Sequence, residues 1–252
     1  MNAQHEDGPP AGLSRREWRE RQSSSAPSET PSPSAPTAEP DSLAGILGAV
    51  GSEAPSSQLT ILTVCTGNIC RSPLAEVLLR AHLEPLGVRV HSAGTHALVG
   101  HGMPEPALEL AAQAGADPEV AAAHQARYLV EPLLADADLI LTMAREHRSH
   151  VVKMMPNRLR RTFTVREFAR LASTLRSEDA RAAAEEAGGS SRERFAAVLR
   201  AVNEQRGLTP TSGDDDDVID PYRRSRDTYA RSAAELTPAL VEVERMVRDA
   251  LS

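Results

Sequence analysis

The sequence predicts an α/β domain with a small four-stranded parallel sheet and helices on both faces, preceded by a disordered tail. Short β-branched and aliphatic runs, of the length that buried parallel strands take, alternate with segments of helical periodicity. Strands separated by helices imply right-handed crossover connections, and these produce a parallel sheet with helices on both faces. Apolar periodicity begins only at Leu59, which sets the first part of the 252-residue chain apart from the domain.

The predicted tail comprises residues 1–57. It combines closely spaced prolines with Ser, Ala, Thr and Glu, and it has too little apolar surface to offset the entropy lost on ordering. Residues 58–252 are predicted to form one domain. Within that domain the region 175–213 is rich in Ala, Glu and Arg around a GGSS break. We expect it to be an insertion at the domain's edge rather than a set of core elements.

Four strands are predicted, at residues 59–64, 88–94, 137–143 and 161–165. Helices are predicted at residues 73–87, 104–115, 145–154, 167–175, 192–205 and 226–251. In the first helix Ser72 is the expected N-cap residue and Pro73 the first helical residue, since proline lacks the N–H that would stay unpaired there. The first strand and helix are joined by the polar, glycine-containing loop CTGNICRS.

Composition excludes several classes of function. The formal net charge of −7 and the 3% aromatic content argue against a nucleic-acid-binding protein. No apolar run approaches the roughly 18–20 residues of a membrane span, and no secretory leader is visible, so a cytoplasmic location without membrane association is expected. Cys65 and Cys70 are the two cysteines, and the histidines show no ligand spacing around them. We therefore expect no metal and no cofactor.

The loop VCTGNICRSP combines features that favour binding of an anion. A loop that leads from a buried strand into a helix N-terminus directs several backbone N–H groups at one point, and the helix dipole makes that point electropositive. In open α/β sheets ligands usually bind at this edge. Phosphate is the anion that such a loop is expected to bind.

Three side chains of this loop suggest chemistry beyond binding. Cys65 places its sulfur at the focus of the N–H groups, which favours the nucleophilic thiolate over the thiol. Arg71 can grip two phosphate oxygens with its planar guanidinium. Ser72 can donate its hydroxyl to the thiolate, and Gly67 and Asn68 are residue types that tolerate the left-handed backbone of a tight cradle.

The segment CTGNICRSPLAE resembles, over its whole length, the phosphate-binding loop of low-molecular-weight protein tyrosine phosphatases. Similarity extends to HSAGT (91–95), HQAR (124–127), ADLILTM (137–143) and DPY (220–222), and covers most of 59–165 and 217–250. The resemblance implies a phosphotyrosine phosphatase I-like fold. It also implies metal-independent hydrolysis of phosphotyrosine in proteins through a phosphocysteine intermediate.

The resemblance assigns roles to individual residues. Cys65 is the expected nucleophile, Arg71 the phosphate clamp and Asp220 the general acid that protonates the leaving phenolate and then deprotonates water. Ser92 and His124 are expected supporting residues, with His124 holding Asn68. The expected phosphate-binding residues are Thr66, Gly67, Asn68, Ile69, Cys70, Arg71 and Ser72. Cys70 is also expected to form a reversible disulfide with the nucleophile on oxidation.

Substrate choice is predicted from the cleft residues. In related enzymes an aliphatic residue at the position of Ile69 accompanies phosphotyrosine and threonine accompanies phosphoarginine, so Ile69 favours phosphotyrosine. Tyr222 is expected to form one wall of an aromatic slot. Arg223 and Arg224 depart from the family pattern. Two interpretations stay open: the arginines bind substrates with acidic residues beside the phosphotyrosine, or they are ordinary solvated charges.

Other functions stay open at this stage. A protein-arginine phosphatase is the main alternative. A thiol-dependent arsenate reductase needs further cysteines that this chain lacks, and a phosphate-recognition module is the alternative without catalysis. By analogy with bacterial members of the family, a tyrosine kinase of a polysaccharide-export system is a candidate partner alongside other phosphotyrosine-containing proteins.

Overall fold

The computed structural model describes residues 58–209 and 216–252. The predicted tail, 1–57, lies outside the described residues, as do residues 210–215, of which 210–213 belong to the predicted insertion. The described strands are β1 (Thr60–Cys65), β2 (Arg89–Gly94), β3 (Leu139–Thr142) and β4 (Thr162–Thr164). They form one parallel sheet in the order β2-β1-β3-β4, and this confirms the predicted α/β fold with four parallel strands.

The helices of the described residues follow the strands in alternation. They are α1 (Arg71–Leu83), α2 (Glu105–Gln113), α3 (Pro118–Ala122), α4 (Glu131–Asp136), α5 (Arg145–Met154), α6 (Val165–Ala172), α7 (Ser177–Ala187), α8 (Ser191–Glu204) and α9 (Arg226–Leu251). The predicted bounds of α5 and α9 are confirmed, whereas α3, α4 and α7 were not predicted. None of these described helices has the length and apolarity needed to cross a bilayer.

The sheet is covered on both faces because successive side chains of a buried strand point to opposite sides. On β1, Ile61 and Cys65 belong to the main hydrophobic cluster, which α1, α6 and α9 also build. Leu62 and Val64 belong to a second, smaller cluster with Leu134 of α4 and Val151 of α5. All six residues of β1 are buried, and the strand's carboxyl end is therefore held between two packed layers.

The helices of the region 175–213 are part of the main core. Buried side chains of α7 and α8 join the cluster that also contains residues of α9, and these are Ala180, Ala184, Phe195, Val198, Leu199 and Val202. The N-terminus of α8 is closed by a capping box between Ser190 and Glu193. The expectation that this region lacks core elements is therefore wrong, because its apolar faces complete the layer that covers α9.

Replacement of Phe195 by alanine tests this packing. The side chain is 1% exposed, and its removal leaves a cavity that the surrounding helices fill only partly. We expect the free energy of unfolding to fall by about 3–5 kcal/mol, as measured by urea denaturation. The matched control is Glu186→Ala on the exposed side of α7, which should change stability by less than about 0.5 kcal/mol. Equal stability of the two variants would show that α8 lies outside the cooperative core.

Candidate active site

The candidate site is the loop that connects β1 with α1. The helix begins at Arg71 with Cys70 as its N-cap residue, and no side chain caps it. The prediction that Ser72 is the N-cap is therefore wrong. Ser72 lies inside the first turn instead, where its hydroxyl faces the loop. The uncapped N–H groups of this turn remain directed at the loop, which is the arrangement that favours an anion.

The thiol of Cys65 lies at the centre of the loop. Its Sγ is 3.3 Å from the backbone N of Asn68, which donates to it, and 3.0 Å from Oγ of Ser72. The Ser72 hydroxyl oxygen accepts a hydrogen bond from Nδ2 of Asn68 at 3.0 Å, so its own hydrogen is free to be donated to the sulfur. Two donors thus converge on the sulfur of Cys65.

Asn68 holds the loop in shape. It is fully buried and has φ +55°, a left-handed conformation that asparagine tolerates better than most residues, while Gly67 does not adopt one. Its Nδ2 donates to Ser92 Oγ at 2.7 Å, and its Oδ1 accepts from the backbone N of Arg127 at 2.9 Å. Its carbonyl oxygen lies 2.8 Å from Nε2 of His124. Ser92 and His124 are thus both brought to the loop.

Glu76 of α1 extends this network, although it is not among the site residues predicted from the sequence. Its carboxylate accepts a hydrogen bond from Ser92 Oγ and lies 3.6 Å from Nδ1 of His124. Burial raises the pKa of Glu76, but its contacts with His124 and Ser92 outweigh burial and bring the pKa below its ordinary value. The charged form is therefore held in place, and it orients both residues that contact Asn68. Its position near the start of the predicted helix was the one available sequence signal.

Arg71 and Asp220 approach the loop from different elements. Nη2 of Arg71 is 2.8 Å from Oδ2 of Asp220, and Nη1 donates to the carbonyl of Val218 at 3.1 Å. Arg71 is 4% exposed, whereas the Asp220 side chain is half exposed. The segment around Asp220 is attached to α9 because the backbone N of Ile219 donates to Glu235 at 2.9 Å. The structure thus brings the predicted clamp and the predicted acid together.

The cleft above Cys65 is a small cavity of about 120 Å³. Ile69, Leu98 and Tyr222 supply apolar surface. The polar side chains of the lining include Cys65, Thr66, Arg71, His96 and Asp220. Tyr222 is 38% exposed and carries the guanidinium of Arg223 at 5.1 Å from its ring centroid. Arg223 has φ +58°, a conformation that is uncommon outside glycine. Both cleft residues predicted from the sequence, Ile69 and Tyr222, line this cavity.

Cys70 differs from Cys65 in its surroundings. Burial raises the pKa of Cys70 to about 11, and its Sγ lies 3.5 Å from the hydroxyl of Tyr229. The group is therefore a neutral thiol at physiological pH. Both cysteines are free thiols in this structure, and the disulfide between them stays a prediction. No group of three or more potential metal ligands occurs within residues 58–209 and 216–252.

His147 of α5 contacts the loop, and the sequence did not predict this contact. Its Nε2 lies 2.8 Å from Oγ1 of Thr66, and the side chain is 2% exposed. Burial, reinforced by the positive charge of Arg71, lowers the pKa of His147 to about 3, so the ring is neutral at physiological pH. A lone histidine behind a predicted strand carries no signal for such a contact, because only the folded chain brings α5 to the loop.

A parallel α/β sheet with a cysteine loop at its carboxyl edge defines a class of proteins that bind oxyanions at a helix N-terminus. This chain belongs to the low molecular weight phosphotyrosine protein phosphatase family, whose model matches residues 60–209. The match covers all of β1 to β4 and of α1 to α8, together with the loop between β1 and α1 that contains Cys65.

Three relatives illustrate the similarity. Etp, a low molecular weight protein-tyrosine-phosphatase of Escherichia coli (strain K12), is 45% identical over 97 residues, which are 38% of this chain and 62% of Etp. The match thus spans less than two thirds of Etp. The protein-arginine-phosphatase of Bacillus subtilis (strain 168) is 35% identical over 113 residues, 44% of this chain and 72% of that protein. The crystal structure of the low molecular weight protein tyrosine phosphatase from T. tengcongensis aligns with a TM-score of 0.51 and 27% identity, and covers 74% of this chain and 97% of that one.

The buried histidines predict a dependence of stability on pH. The ordinary pKa of a histidine is 6.5, and the pKa of His147 is about 3. Burial, followed by the positive charge of Arg127, lowers the pKa of His91 to about 4. The unfolded chain therefore binds more protons than the folded chain as the pH falls below 6.5. For each histidine the free energy of unfolding should fall by about 1.4 kcal/mol per pH unit in that range.

His147→Gln, whose amide can still bond to Thr66, tests this dependence. Urea denaturation between pH 6 and pH 4.5 should give a slope against pH that is smaller by about 1 kcal/mol per pH unit, since one of the two histidines is gone. The control is His101→Gln at an exposed position, which should leave the slope unchanged. An unaltered slope in His147→Gln would mean that this ring is protonated in the folded chain.

Proposed function

We propose that the chain hydrolyses phosphotyrosine in proteins through a phosphocysteine intermediate, without a metal. The observation that carries this proposal is the convergence of the Asn68 N–H and the Ser72 hydroxyl on Cys65, with Arg71 and Asp220 lining the same cleft. A sulfur held in this way is a nucleophile, and the adjacent cation and carboxylate are the groups that phosphoryl transfer needs.

In the first step the Cys65 thiolate attacks phosphorus, an S–P bond forms and the P–O bond to the phenol breaks. The Arg71 guanidinium holds two of the phosphoryl oxygens and stabilises the charge on them. This binding replaces the Asp220 carboxylate as the partner of Arg71, and Asp220 then faces the leaving oxygen. Protonated Asp220 gives its proton to that oxygen, so tyrosine leaves as a neutral phenol.

In the second step water attacks the phosphocysteine. Asp220, now a carboxylate, takes a proton from the water, and the S–P bond breaks to release phosphate and the thiolate. The Ser72 hydroxyl donates to the departing sulfur and stabilises its charge. The network through Asn68, Ser92, His124 and Glu76 supports these donors, because each of its members is hydrogen-bonded and none can rotate without losing a partner.

A phosphotyrosine side chain fits the chemistry of the cleft. Ile69, Leu98 and Tyr222 offer apolar surface to a phenyl ring, while the phosphate reaches the loop. Arg223 and Arg224 follow Tyr222 in sequence and are exposed, and we propose that they favour substrates with acidic residues beside the phosphotyrosine. That the partner is a tyrosine kinase of a polysaccharide-export system stays a prediction.

Hydrolysis of phosphoarginine is the second candidate function. The similarity to the Bacillus subtilis protein-arginine-phosphatase supports it, since that relative matches over 72% of its length. Ile69 argues against it, because an aliphatic wall offers no hydrogen-bond acceptor to a guanidino group. This chain lacks the additional cysteines that an arsenate reductase requires. A module that only binds phosphate does not account for the position of Asp220 beside Arg71.

The catalytic roles are tested with aryl phosphates of different leaving groups. Cys65→Ser should abolish hydrolysis of para-nitrophenyl phosphate. Asp220→Asn should lower kcat by about 10²–10⁴-fold for phenyl phosphate, and less for para-nitrophenyl phosphate, whose phenolate leaves without a proton. The control is Asp227→Asn, the same change at an exposed position in the first turn of α9. An equal loss for both substrates in Asp220→Asn would remove Asp220 as the general acid.

Substrate selectivity is tested with Ile69→Thr. The threonine hydroxyl adds an acceptor for a guanidino N–H and removes apolar contact with a phenyl ring, so the ratio of kcat/KM for phosphotyrosine over phosphoarginine peptides should fall about tenfold. Val99→Thr, a similar change at a residue that is 56% exposed, should leave the ratio unaltered. Wild-type preference for the phosphoarginine peptide would refute the phosphotyrosine assignment directly.

A further inference from the structure

A second and larger cavity, of about 620 Å³, lies between the 3₁₀ segment Pro156–Arg161 and α8. Five arginine side chains line it, and we call it the arginine pocket: Arg160, Arg161, Arg192, Arg200 and Arg206. Its apolar lining includes Leu159, which is 43% exposed, and Leu199 of α8. A concave site of this size falls in the range of roughly 300–1,000 Å³ that small-molecule ligands occupy.

The arginine pocket is separate from the active site. Its lining residue Asp138 accepts a hydrogen bond from the backbone N of Thr60 at 3.0 Å, and Thr60 is the first residue of β1. Cys65 is the last residue of that strand. Five steps along a strand correspond to about 17 Å, so the two sites lie at opposite ends of β1.

The pocket carries more positive than negative charge, in a chain whose formal net charge is −7. Two carboxylates, of Asp138 and Glu204, line it beside the five arginines. Asp138 is already shared between Arg161 at 3.0 Å and Arg192 at 2.9 Å. Burial and the neighbouring charge of Arg161 lower the pKa of Arg158 next to the pocket, which is a sign of repulsion among these cations.

Arg160 and Arg200 are the two guanidinium groups available to a ligand. Both are exposed, and within the described part of the chain neither side chain forms a hydrogen bond or ion pair. A guanidinium binds carboxylate or phosphate through two parallel N–H donors. Leu159 lies between Arg158 and Arg160 in sequence and adds an exposed apolar surface to the same cavity. Charge and apolar area are thus offered together.

We propose that the arginine pocket binds a small organic anion, with its phosphate, sulfonate or carboxylate group on Arg160 and Arg200 and its apolar portion on Leu159 and Leu199. The concavity favours a small molecule over a protein surface. The positive charge selects against neutral apolar compounds, since these leave the repulsion between the arginines uncompensated.

The test compares two fluorescent probes of nearly equal shape. 1-Anilinonaphthalene-8-sulfonate carries one negative charge, and N-phenyl-1-naphthylamine is its neutral counterpart. Both are titrated into the full chain with orthovanadate present, so that the cysteine loop is occupied. We expect the anionic probe to bind more tightly than the neutral one. The double variant Arg160→Gln, Arg200→Gln should bind the anionic probe about tenfold more weakly, and its affinity for the neutral probe should be unchanged.

The matched control combines Arg176→Gln with Arg231→Gln, two exposed arginines outside the pocket that lower the net charge equally. It should leave the affinity of both probes unchanged. Leu159→Ser should lower the affinity for both probes, because it removes apolar surface without altering charge. Circular dichroism is used to check that each variant is folded. Equal affinity of the two probes for the wild-type chain, or equal losses in the pocket and control double variants, would overturn the proposal.

Discussion

The chemistry of this protein depends on one constraint: the sulfur of Cys65 accepts hydrogen bonds from a backbone N–H and a hydroxyl at the point where a strand ends and a helix begins. The strand is buried along its whole length, and Cys65 at its end is 2% exposed. The helix supplies the favourable end of its dipole. A buried polar group needs such partners, and the loop provides both of them to the sulfur.

Asn68 converts that constraint into a defined shape. Its side-chain nitrogen and oxygen and its carbonyl each have partners, on Ser72, Ser92, Arg127 and His124. A fully paired polar network in a low-dielectric interior is rigid, since any rotation exposes an unpaired group. Glu76 adds a buried charge to the network, and its contacts with Ser92 and His124 offset the cost of burial.

The helices after β4 connect the site to the rest of the core. Arg71 is held by the segment that precedes α9, and α9 packs against α1, α6, α7 and α8. Helices α7 and α8 are therefore part of the core on which α9 packs, although their composition resembles that of a surface insertion. Alanine-rich helices bury small side chains and give a weak apolar pattern, which is why the sequence indicated neither α7 nor its contribution to the core.

The sequence by itself determined the alternation of strands and helices, the bounds of α5 and α9, and the positions of Cys65, Arg71 and Asp220. These follow from local features: apolar periodicity, and residue types at fixed spacing around a strand end. The tertiary structure alone decided that Ser72 faces the sulfur rather than capping α1, that Glu76 and His147 support the loop, and that five arginines line one cavity. Such contacts join residues up to 81 positions apart, as between Thr66 and His147. Only the packing of the helices on the sheet brings such distant groups within hydrogen-bonding distance.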